Sequence, residues 1–102
     1  MPINYAAEKL SYAVRKLVVG KGRIKERLKE AAVDVEVAGA SNMPADFLAK
    51  YETVLARLTA HAREGNESAS DMTIRQMSED EACDIAKQIL DLADEAADRA
   101  FE

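Results

Sequence analysis

His61 and Cys83 are the sole imidazole and the sole thiol of the 102-residue chain. They are therefore the first places to look for chemistry. Zinc sites draw chiefly on His and Cys, and one of each leaves zinc short of its favoured ligands. A Cys–His nucleophilic pair would need two separate helices to bring the two side chains within hydrogen-bond reach. The reading of the residues is structural: His61 at the edge of an apolar stripe as a partly buried interfacial histidine, and Cys83 as a small apolar packing residue. No catalytic residue, metal or cofactor is expected.

Carboxylates are the next reactive class. Glu81 and Asp84, Asp91 and Asp94, and Glu95 and Asp98 each stand three apart, so on a helix each pair shares a face and could offer hard oxygen ligands to Mg²⁺. Helical pyrophosphohydrolases use comparable pairs, but from two converging helices. Here all three pairs fall on one segment, and a solvated acidic face explains them. A magnesium-dependent hydrolase is the weakest of three functional readings.

Basic residues gather at the other end. Residues 1–30 carry a net charge of +5, residues 31–78 carry −3 and residues 79–102 carry −7. Lys21, Arg23, Lys25, Arg27 and Lys29 form the candidate anion- or partner-binding cluster, with Arg15 and Lys16 just before it. Such a cluster can hold phosphates or nucleic acid. It can equally be solvated, or face the acidic terminal helix across the fold. The overall charge of −5 and the lack of aromatic residues among these bases argue against nucleic acid. Gly20-Lys21-Gly22-Arg23 could expose amides to an anion, yet it lacks the Lys-Ser/Thr pair and spacing of a phosphate-binding P-loop. A plain turn suffices.

The elements that must carry these groups are helical. Of the apolar residues, 19 are alanine and 20 are leucine, isoleucine or valine, so the core is thin and closely spaced. A helix capped by Asn4 carries Leu10, Ala13, Val14 and Leu17 to about Val19. After a glycine corner, a second runs from about Gly22 to Val37, preferred over a strand at Val33–Val37, and ends before a left-handed Gly39. Pro44 opens a third, whose stripe is Phe47, Leu48, Tyr51, Val54, Leu55, Leu58 and Ala62. Residues 64–71 read as a flexible loop, with Met72, Ile74 and Met77 anchoring its far end. Ser78 and Glu81 form a capping box for the last helix, striped by Ala82, Ile85, Ala86, Ile89, Leu92, Ala93, Ala96 and Ala100. The expectation is an all-α, compact four-helix bundle-like domain spanning 1–102.

Gly20 to Leu28, together with Met77 to Ala82, resembles small uncharacterised all-helical bacterial proteins. That resemblance implies a helical fold and no particular activity. The chain has no secretory h-region at Met1–Leu10, no run that could span a bilayer, and one cysteine, which favours a reducing cytoplasmic setting. The functional expectation is a non-enzymatic protein-interaction module, acting as adaptor, regulator or accessory subunit with an unidentified protein partner. Leu90, Ala97 and Phe101 share a flank of the last helix and are the candidate self-association surface of a homodimer. Nucleic-acid or phosphate-ligand binding through the basic half is the principal alternative.

Overall fold

The computed structural model describes residues 2–40, 42–61 and 65–100. Its elements are all helices: α1 (Pro2–Val19), α2 (Ile24–Ala38), α3 (Ala45–Leu58), α4 (Ala69–Gln76) and α5 (Glu79–Ala100). Among the described residues there are thus five helices, one more than the apolar periodicity suggested.

α1 starts two residues earlier than expected, so Asn4 sits exposed inside the helix rather than capping it. Proline suits a first helical turn because its φ is already helical and its missing N–H would have had no partner there. α1 buries Ala6, Leu10, Ala13 and Leu17, spaced four, three and four apart. α2 answers with Leu28, Ala31, Ala32, Val35 and Ala38. The segment Val33–Val37 is helical, as its neighbours on both sides require.

The end of α2 differs from expectation in an instructive way. Gly39 has a right-handed conformation, φ −66°, so its glycine is not there to reach the left-handed region. It is there for space. A Cβ at Gly39 would stand 2.6 Å from the Tyr51 hydroxyl, which donates a 2.7 Å hydrogen bond to the buried Val35 carbonyl. Tyr51 on α3 thereby satisfies a last-turn carbonyl of α2, and only glycine lets the ring come so close.

α3 buries Phe47, Tyr51, Val54 and Leu58. Leu48 was expected inside and is 37% exposed. Adjacent helix positions point 100° apart, so once Phe47 takes the inward position Leu48 is turned outward. Leu55, one step from Val54, is half-buried. Ile24 is likewise half-buried and packs on the core from its edge.

Residues 69–71 are helical where a loop was expected. Ser68 is the reason: its hydroxyl accepts the Asp71 N–H at 3.1 Å, starting α4 from a polar stretch whose composition reads as linker. Met72, Ile74 and Met77 are buried as anticipated. Thr73, also buried, donates to the Ala69 carbonyl at 2.7 Å and accepts the His61 N–H at 2.9 Å, tying the start of the α3–α4 connection to α4. The Ser78 hydroxyl accepts the Glu81 N–H at 3.1 Å and starts α5.

α1 packs most extensively on α2 and next on α5, while α3 and α4 close the remaining side against α5 and α2. The buried face of α5 is Ala82, Ile85, Ala86, Ile89, Leu92 and Ala96. Alanines at so many of these contacts let helix axes approach closely, so a radius of gyration of 13.0 Å is reached with few large side chains. No helix of the described residues is long and apolar enough to cross a membrane.

Candidate functional site

The basic segment is divided by the fold into groups with different employment. Residues 20–23 connect α1 to α2, and Gly22 adopts φ +91°, a conformation side-chain-bearing residues rarely take. Arg27 reaches back from α2 to donate a 2.7 Å hydrogen bond to the Leu17 carbonyl, where a cation also complements the negative end of the α1 dipole. Lys25 donates to the Arg75 carbonyl at 2.9 Å, near the end of α4. Arg23 pairs with Glu79 at the start of α5 at 3.5 Å, both side chains being exposed. Lys16 on α1 meets Asp34 on α2 at 2.8 Å.

Lys21 is exposed and Lys29 half-buried, and neither makes an ion pair among the described residues. The amides opening α2 have a resident anion of their own: the Glu26 carboxylate accepts the Arg23 N–H at 3.5 Å. A Cβ at Gly22 would collide with that carboxylate.

The acidic pairs also meet cations of this chain. Arg57 on α3 holds Asp84 at 2.8 Å and Glu81 at 3.9 Å. Glu95 takes Lys50 at 2.7 Å and Arg99 at 2.8 Å, and Arg99 continues to Asp46 on α3. Lys50 and Arg99 hold the Glu95 carboxyl below its ordinary 4.5, the Lys50 hydrogen bond acting most strongly. Arg99 holds Asp46 below 3.8 and is itself pushed up. Asp91, Asp94 and Asp98 are exposed. Among the described residues no group of three His, Cys, Asp or Glu could hold a metal ion.

His61 and Cys83 both lie at the surface rather than against the apolar interior. His61 is exposed, because α3 stops at Leu58 and the apolar stripe that would have carried the imidazole inward ends with it. Ala62, the last member of that expected stripe, lies outside the described residues. Cys83 is exposed too, since Ala82 beside it takes the inward position on α5. Leu90 and Ala97 lie exposed on the same flank of α5, and Phe101 is outside the described residues.

Two open grooves flank α5. One, of about 320 Å³, runs along α3 and α5 with Val54 and Leu92 at its floor and Lys50 and Glu95 paired across it. The other, of about 410 Å³, lies between α1 and α5 beside Ala7, Ser11, Ala97 and Ala100. Glu8 also borders the second groove, where the Ser11 hydroxyl donates to the Glu8 backbone carbonyl at 2.6 Å.

The α1–α2 hairpin also carries exposed apolar residues. Tyr5, Tyr12 and Val19 stand seven apart on α1 and are 40%, 43% and 69% exposed, with Val33 and Val37 on α2 also exposed. The Lys9 ammonium lies 5.2 Å from the centroids of both tyrosine rings, within the range of a cation–π contact. The signal was present as a second seven-residue spacing in α1, out of phase with the core stripe. No protein-family model matches the chain, and no curated protein or solved structure matches it.

Proposed function

We propose that the chain is a small non-enzymatic protein-interaction module, working in the cytoplasm as an adaptor, regulator or accessory subunit. The observation that carries this reading is the set of exposed apolar residues on the α1–α2 hairpin, Tyr5, Tyr12 and Val19 at seven-residue spacing on α1 and Val33 and Val37 four apart on α2. Contiguous exposed apolar surface bordered by charge is what protein contacts use. The scaffold is read as a four-helix bundle-like arrangement of α1, α2, α3 and α5, turned at a glycine corner and buttressed by α4. Support also comes from the employment of Arg23, Lys25 and Arg27 in contacts within the chain, which leaves less of the basic cluster for phosphates.

A nucleic-acid reading keeps one specific observation in its favour, since Lys9 between two exposed tyrosines has the make-up of a base-stacking platform. Fluorescence anisotropy with labelled single- and double-stranded oligonucleotides across a salt series decides between the two. No salt-sensitive binding is expected. Binding that weakens steeply with salt and is lost when Lys9, Arg15, Lys21 and Arg23 are changed to Gln would replace the protein-contact reading.

A further inference from the structure

We propose that the outer face of the α1–α2 hairpin docks onto the same face of a second copy of this chain, about a two-fold axis parallel to the hairpin. The inference rests on the protein-interaction reading and names its partner.

α1 and α2 are joined by four residues and run antiparallel, as the Leu17–Arg27 and Lys16–Asp34 contacts require. Distance from the turn therefore sets where each residue stands along the face. At about 1.5 Å per residue, Arg15 is about 6 Å from the turn end of α1, between the levels of Glu26 at about 3 Å and Glu30 at about 9 Å on α2. Tyr12, at about 10 Å, is level with Val33, at about 13 Å. Tyr5, at about 21 Å, is level with Val37, at about 20 Å.

A two-fold axis parallel to the hairpin lays α1 of one copy on α2 of the other without changing level. Tyr5 then meets Val37 of the second copy, Tyr12 meets Val33, and Arg15 meets Glu26 and Glu30. Each contact occurs twice, as an isologous interface requires.

Charge complementarity makes a second copy the fitting occupant. Lys16 and Asp34 already pair with each other within the chain, and Lys9 with Glu8, which leaves Arg15 on α1 and the exposed Glu26 and Glu30 on α2, with Lys29 four residues before Val33. Arg15 is exposed and makes no ion pair among the described residues, and the Glu30 carboxylate likewise makes none. The unpaired Arg15 of one copy thus faces Glu26 and Glu30 of the other near the turn, with apolar pairs farther from it.

Area points the same way. An 18-residue helix is about 27 Å long, and two packed helices present a face about 20 Å wide. Such a face buries on the order of 600 Å² per copy, near the roughly 800 Å² per partner of a standard-size interface.

Sedimentation equilibrium from about 1 μM to 1 mM tests this on the full chain, with circular dichroism confirming that each variant is helical. The expected result is a reversible dimer with a dissociation constant in the micromolar range. Tyr12→Glu should raise that constant at least 10-fold. Arg15→Glu should weaken the dimer, and Arg15→Glu combined with Glu30→Arg should restore it to within about threefold of the native value. Leu90→Asp, on α5, should leave it unchanged.

A chain that stays monomeric at 1 mM overturns the proposal. So does a dimer broken by Leu90→Asp and indifferent to Tyr12→Glu. Neither result touches the protein-contact reading itself, which fails instead on salt-sensitive oligonucleotide binding.

Discussion

Gly39 and Tyr51, twelve residues apart, show how one atom can decide a residue's identity. Gly39 is glycine because the Tyr51 hydroxyl occupies the place of its Cβ, and that hydroxyl serves the Val35 carbonyl. Gly39→Ala should cost about 1–3 kcal/mol by overpacking, and Tyr51→Phe about 1 kcal/mol by loss of a buried hydrogen bond. Because both act through the same oxygen, urea unfolding of the double variant should show a loss clearly smaller than the sum. An additive result would mean that the close approach is relieved some other way. Truncation in α3 grades with burial in the same manner: Leu58→Ala, fully buried, should cost about 2–5 kcal/mol, whereas exposed Leu48→Ala should cost under about 1 kcal/mol. Equal losses in thermal or urea unfolding would count against the packing described for α3. The alternation of Phe47, Tyr51, Val54 and Leu58 was legible as spacing. Which of two adjacent apolar residues turns inward was not, because Phe47 and Leu48 fit the stripe almost equally until the neighbouring helix is in place.

At the scale of elements, the helices with long apolar stripes were readable and the one started by a cap was not. α4 buries Ile74 and Thr73 but begins among Asn66, Ser68 and Ser70. Its polar composition hid the Ser68–Asp71 cap that nucleates it. The opposite error placed His61 inside, by running the α3 stripe past the residue where the helix ends. Charge pairing between elements was foreseen only as an option, since sequence does not say which exposed arginine reaches which carboxylate. Arg99 joins α5 to α3 through Asp46 and sits with Lys50 on Glu95. Both carboxyls are held below their ordinary values of 3.8 and 4.5, so folding is favoured while they are ionised. This contribution is present above the ordinary carboxylate range and is lost as pH falls through the lowered values. Melting temperature should therefore drop with acid below about pH 4.5, and Arg99→Gln should flatten that part of the profile. An unchanged slope in Arg99→Gln would show that other carboxylates govern acid stability. Because these groups lie at the surface, salt should also diminish the effect.

For the whole molecule, the lopsided charge becomes a matter of which surfaces meet. The bases of α1 and α2 lie partly against the starts of α5 and the end of α4, through Arg23–Glu79 and Lys25–Arg75. Arg23–Glu79 joins opposite signs across elements, whereas Lys25 meets a backbone carbonyl and Asp91, Asp94 and Asp98 stay exposed on α5. The functional surface was the least legible part, because apolar residues outside the core stripe look like noise until a hairpin gathers them. That hairpin also has a temporal meaning. α1 meets α2 across a four-residue turn, whereas α1 meets α5 only after the intervening helices have been laid down along the chain. Closing a short loop sacrifices little chain entropy, so local contacts can form before distant ones. The order of assembly should then run from the hairpin outward, with α5 docking onto a preformed pair. Kinetic analysis of Leu28→Ala should find folding slowed in proportion to the lost stability, while Ile89→Val on α5 should chiefly speed unfolding.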